Sequence, residues 1–151
     1  MQGQNVILAS DHAGCEAKQQ IAQYLQKKGY HVFDYGVHDA TVSVDYPKQA
    51  HLLAKGMYNH EANLGFLFCG TGIGMSIAIN RYPFLRGALI CNEEMAKMAR
   101  AHNNANVLIF GGRTMPVEEI KKCIDAFMNT EFEGGRHQVR VNQLGGMPYD
   151  L

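Results

Sequence analysis

The sequence has no tryptophan, only four prolines, and no excess of either charge, with 14 basic against 14 acidic side chains. A net charge of zero provides no overall field for nucleic acid or an anionic membrane, so an anionic ligand must be held by a local cluster. No apolar run approaches the ~20 residues that cross a bilayer. The start, Met1-Gln-Gly-Gln-Asn, lacks the basic opening and long apolar region of a signal peptide. Cys15, Cys69, Cys91 and Cys123 are widely spread, with no C-x-x-C pair and no metal-like spacing with histidine. They read as reduced thiols in a cytoplasmic protein. A G-x-G-x-x-G motif after the first strand is missing too, which argues against NAD.

What is present is glycine, 16 residues of it, and short apolar runs alternating with helical periodicity. Val6–Ala9, His31–Tyr35, Leu64–Phe68, Gly87–Cys91 and Val107–Phe110 read as strands. Helices are expected after Gly14, from Asp45-Tyr46-Pro47 to Met57, from near Ile73 to Arg81, over Glu93–His102, and from Pro116 to Met128. Parallel strands need crossover connections, so this alternation predicts an α/β, three-layer domain around a five-stranded parallel sheet. The expected strand order is 2-1-3-4-5, with its switch point between the first and third strands. No repeat or domain-splitting linker interrupts the chain, and residues 1–151 are expected to form a single domain. The end, Leu144–Leu151, reads as flexible.

The stretch Phe66-Leu-Phe-Cys69-Gly70-Thr71-Gly72-Ile73-Gly74-Met75-Ser76 is the focus of the chemistry. Its glycines permit a tight turn whose N–H groups converge, and a following helix adds its positive dipole end. N–H donors beside a thiol favour the thiolate, so one turn supplies a base and an anion cradle. Glycines after a strand are also a general need of parallel α/β proteins, and a buried cysteine can be simply a small apolar residue.

Asp11 and His12 follow the first strand, at the edge where open parallel sheets bind ligands; a helix cap alone would account for Asp11, but the adjacent His12 makes a pure cap less economical. Asp45 is either an N-cap or a second group on that side. His102-Asn103-Asn104 ends a helix, and the asparagines alone suffice as stop signals. Asn80 and Arg81 read as solvated. Arg136 and Arg140, four residues apart, share one face if the tail is helical. Such a pair suits phosphate or forms a solvated basic face.

Taken together, Ser10-Asp11-His12-Ala13-Gly14, Asp45-Tyr46-Pro47, Cys69-Gly-Thr-Gly-Ile-Gly74, His102-Asn103-Asn104-Ala105-Asn106 and Glu133-Gly-Gly-Arg-His-Gln-Val-Arg140 resemble type B ribose-5-phosphate isomerases. The wider family includes galactose-6-phosphate and allose-6-phosphate isomerases. The resemblance implies a Rossmann-like α/β sandwich and an aldose–ketose isomerase without metal or organic cofactor. It also implies a homodimer or homotetramer with active sites shared between subunits. On it, Cys69 is the base that moves a proton between C2 and C1 of a sugar phosphate, and His102 assists ring opening. Thr71 and the Gly70, Gly72, Ile73 and Gly74 backbone hold the enediolate. Asp11 and Asn103 contact the sugar, His12 lies at the sugar or the phosphate, and Arg113, Arg136 and Arg140 bind the phosphate. A six-carbon sugar phosphate as substrate, or a non-catalytic phosphate-ligand-binding module, are the competing readings. Thiol redox activity is disfavoured because Cys69 lacks a partner nearby in sequence.

Overall fold

A computed structural model describes residues 3–146. Met1, Gln2 and residues 147–151, which include most of the tail expected to be flexible, lie outside the described residues. Strands β1 (Asn5–Ser10), β2 (His31–Asp34), β3 (Gly65–Cys69), β4 (Gly87–Leu89) and β5 (Val107–Gly111) form one parallel sheet. Between and after them come α1 (Cys15–Lys27), α2 (Tyr46–Tyr58), α3 (Ile73–Ile79), α4 (Glu93–Ala101), α5 (Val117–Met128) and α6 (Arg136–Val141). Among the described residues no helix is long and apolar enough to cross a membrane.

The three central strands are apolar at consecutive positions because helices cover both faces of the sheet. Side-chain alternation then divides each strand between two cores. Val6, Leu8, Phe66, Phe68, Leu108 and Phe110 face α1, α4 and α5. Ile7, Ala9, Leu67, Cys69, Val107 and Ile109 face α2 and α3.

The observed strand order is β2-β1-β3-β5-β4, which corrects the expected 2-1-3-4-5 at its last two places. Crossover handedness gives the reason. Right-handed connections that keep moving in one direction across a sheet leave their helices on one face, and a reversal switches the face. Helix α3 packs in the core with α2, whereas α4 packs in the core with α1 and α5. The chain therefore moves outward from β3 to β4 and returns inward to β5. Composition agrees: β5 (VLIFG) is buried throughout, while the three-residue β4 is only half-buried, as an edge strand can be. The switch point between β1 and β3 stands as expected.

This correction positions the site, because it puts the β5 loop directly beside Cys69. Cys69 pairs with Gly111 in the ladder. Gly112 N–H donates to Cys69 O at 2.7 Å and Arg113 N–H to Gly70 O at 2.9 Å. On the other flank, Lys18 of α1 is fully buried, and its ammonium donates to Tyr35 O (3.0 Å) and Val37 O (2.8 Å) while pairing with Asp34 (2.6 Å). That lysine ties the loop after β2 to α1. Asn80 is exposed, as expected, yet it does more than face solvent. Its amide exchanges two hydrogen bonds with the Gly87 backbone, 2.9 and 3.0 Å, and so anchors the start of β4.

Candidate active site

At the carboxyl edge, strand alternation points the Cys69 side chain toward α2 and α3, and it is 5% exposed. Gly72 follows with φ +84°, and a methyl group built on it would come within 2.5 Å of Leu89 Cδ1. Both the left-handed backbone and the crowding demand glycine. The turn folds the Gly72 N–H back onto the Cys69 sulfur, 3.1 Å away. Thr71 Oγ1 accepts the Ile73 N–H at 3.2 Å. The first bond that closes α3 runs from Ser76 N–H to Gly72 O, so the Gly74 and Met75 amides have no acceptor within the helix. Ile73 is exposed at the head of α3, and the ring of Tyr46 covers Gly74.

Burial pushes Cys15 up and Cys123 up to about 11, so both stay protonated near neutral pH.

Asp11 is buried beside this turn, and one carboxylate oxygen accepts the Gly14 N–H at 3.0 Å. It thus serves the turn entering α1, and Gly14 itself is the N-cap residue. His12 Nδ1 accepts the Val44 N–H at 3.3 Å, which leaves the proton of the neutral ring on Nε2. Asp45 stands at the N-cap position of α2 but makes no capping bond; it pairs with Lys48 at 3.4 Å. Arg113 is exposed, and its Cδ and Nη1 lie 3.6 Å from where a methyl group on Gly70 would sit. Asp11, His12, Cys69, the glycine turn and Arg113 therefore share one edge.

The remaining candidates lie at the opposite edge. His102 caps the C-terminus of α4 and precedes β5, so the five residues of that strand, roughly 16 Å, separate its edge from that of Cys69. Asn103, half-buried His102, His137 and Arg140 line a cavity of about 290 Å³ there. The tail is helical, as the spacing of Arg136 and Arg140 requires for a shared face, and both arginines are exposed. Within one chain the structure brings together neither Cys69 with His102 nor Arg113 with the other two arginines. A larger cleft of about 750 Å³ runs past Arg81, Arg86 and Asn103, but no thiol, imidazole or carboxylate lines it.

Two residues that carried no assigned role complete the second edge. Glu133 Oε2 lies 3.4 Å from His102 Nε2, and the His137 ring stacks on the His102 ring with centroids 4.2 Å apart and planes 9° from parallel. Both stood in the motif that contains the arginines, and their contact with His102 had no local signal. The three side chains place donor atoms within 4.8 Å of one another. Parallel rings send their in-plane lone pairs past each other, so ligating one ion at ~2.0–2.1 Å would require one ring to leave the stack.

Fold and site together define a doubly wound α/β protein with a thiol and an amide cradle at its topological switch point. Residues 6–144 match the family described as Ribose/Galactose Isomerase, and the chain belongs to that family. It is 38% identical over 140 residues to the ribose-5-phosphate isomerase B of Escherichia coli, covering 92% of this chain and 93% of that protein. The crystal structure of a Thermotoga maritima ribose 5-phosphate isomerase superposes with a TM-score of 0.89 at 44% identity, covering 92% of this chain and 95% of the other. The Mycoplasma genitalium ribose-5-phosphate isomerase B, solved with bound ribulose-5-phosphate, gives 0.88 at 39% identity and covers 95% of each chain.

Proposed function

We propose that residues 1–151 act as one sugar-phosphate isomerase domain that interconverts ribose 5-phosphate and ribulose 5-phosphate through an enediolate. His102 delivers a proton to the ring oxygen as the anomeric hydroxyl loses one, which frees the aldehyde. The Cys69 thiolate then removes the C2 hydrogen as a proton, and the electron pair forms the C1–C2 double bond of the enediolate. The thiol returns that proton to C1, while the proton on O2 passes to O1. Hydrogen moves only as protons, so the overall change is redox-neutral and calls for no hydride acceptor. The Gly74 and Met75 amides face the oxyanion, and Arg113, Arg136 and Arg140 hold the phosphate dianion.

Such a site needs two chains, with Cys69 and Arg113 from one and His102, Asn103, Arg136 and Arg140 from the other. Helix α3 supports this reading. It begins at the Cys69 turn and ends beside the cleft that contains Asn103, and its outward Ile73 and Ile77 are 55% and 56% exposed. A two-fold axis perpendicular to α3 and lying beside its outer face, level with its middle, packs the helix antiparallel against its copy and buries these isoleucines. The same operation lays each Cys69 turn against the partner's His102 edge.

The observation that carries the proposal is the Gly72 N–H directed at the Cys69 sulfur at the switch point. The test is to incubate chelator-treated protein with ribose 5-phosphate and measure ribulose 5-phosphate. Its formation is expected, and its absence at saturating substrate overturns the assignment.

A further inference from the structure

We propose that Glu133 and His137 are positioning residues for His102, fixing the direction of its imidazole and its separation from the arginines of α6. This rests on the isomerase reading above and extends it to residues that touch no reacting atom.

His102 sits at the end of a helix with its side chain 36% exposed, where an imidazole would ordinarily sample several rotamers. Two contacts remove that freedom. The Glu133 carboxylate approaches Nε2 from the edge of the ring, and the buried His137 ring covers one of its faces. Glu133 is itself held by its N–H, which donates to Ala101 O at 3.0 Å, one residue before His102. Gly134 and Gly135, both at positive φ with nothing within 4 Å of a built methyl group, then turn the chain into α6. They are needed for backbone direction and not for space.

An imidazole is an expensive choice if the task is only to fill a gap beneath α6, where leucine would suffice. What it adds is a flat face of the same size as the ring it covers. Burial, together with His102 and Arg136, lowers the His137 pKa below the usual imidazole value against the opposing pull of Glu133. His137 thus supplies a neutral platform and not a competing charge. Arg136 precedes it and Arg140 lies three residues beyond, so the stack also sets where α6, the helix that carries both arginines, stands relative to His102. The arrangement holds the ring-opening group at a set distance from the phosphate.

The two directions of the reaction separate this role from a merely structural one. Ribulose 5-phosphate is acyclic, because its O5 carries the phosphate, so forming the enediolate from it requires Cys69 but no ring opening. His137→Ala and Glu133→Ala are expected to lower kcat on ribose 5-phosphate roughly ten- to hundredfold, the cost of a misplaced catalytic group. KM should stay within about twofold, and deuterium from solvent should enter C1 of ribulose 5-phosphate at the wild-type rate. His137→Phe, which keeps a flat ring, and Glu133→Gln, which keeps an oxygen acceptor, should recover most of kcat. Equal losses in both assays, a raised KM with kcat intact, or no recovery in the conservative variants overturns the proposal. The latter two also decide the matter if the alanine variants do not fold. A wild-type protein inactive in both assays would instead remove the isomerase reading itself.

Discussion

Gly72 donates its amide hydrogen to the Cys69 sulfur across 3.1 Å, and it does so from a left-handed backbone with φ +84°. Gly72→Ala adds a strained conformation and a methyl group 2.5 Å from Leu89 Cδ1 and 3.3 Å from Gly111 N. It should cost about 1–3 kcal/mol in urea denaturation and lower kcat at least tenfold as the amide moves off the sulfur. Gly70→Ala meets nothing closer than 3.6 Å and should leave stability unchanged, which makes it the control for the denaturation measurement.

Phosphate affinity provides the second test. Arg136 and Arg140 are exposed and make no ion pair among the described residues. Replacing either with alanine should therefore leave the urea midpoint in place. Each charge-assisted hydrogen bond contributes about 1.5–3 kcal/mol, so KM for ribose 5-phosphate should rise tenfold or more per arginine. An unchanged KM places the phosphate elsewhere.

Cys123 gives a stability prediction with a definite sign. Its thiol is fully buried and pushed up from 9.0 to about 11. Between these values the unfolded chain ionises and the folded one does not, so the unfolded state gains as pH rises. The contribution is complete below pH 9 and is lost through pH 11, amounting to about 2–3 kcal/mol. Urea denaturation from pH 8 to 11 should show this decline, and Cys123→Ala should reduce the slope. A parallel slope in both proteins removes Cys123 as its origin.

Much of this was legible in the chain. Apolar runs marked β1, β3 and β5, and the glycines after Cys69 marked the turn, whereas the spacing of Arg136 and Arg140 is compatible with a helix without requiring one, so α6 is a finding of the fold. The places of β4 and β5 were not legible, because they depend on which face α4 covers, and an amphipathic stripe does not say which side of a sheet it will meet. The separation of Cys69 from His102 was implicit: one follows a strand and the other precedes one, which in a parallel sheet puts them at opposite edges. The stack of His137 on His102 depends on a contact across 35 positions that periodicity does not register.

Lys18 is another residue that only the fold explains, since periodicity puts it on the buried face of α1 and its charge argues for the outside. Its ammonium serves three oxygens, Tyr35 O, Val37 O and an oxygen of Asp34. Lys18→Met keeps the length and apolar character of the stem but leaves these oxygens without their donor. The expected loss is about 3 kcal/mol in urea denaturation, because an uncompensated buried partner costs more than the intact pair contributes. A loss below 0.5 kcal/mol would mean that water replaces the ammonium.

The two-chain site can be tested by mixing inactive proteins. Cys69→Ala lacks the base and His102→Asn lacks the ring-opening group, and each homodimer carries the same defect at both of its sites. In a mixed dimer one site combines both defects, while the other combines an intact Cys69 with an intact His102. Unfolding and refolding an equimolar mixture yields about half mixed dimers, each with one working site of two. Activity on ribose 5-phosphate should return to about a quarter of wild type. If each chain held a complete site by itself, no pairing of these variants could restore one, and the mixture would stay at the sum of its parts.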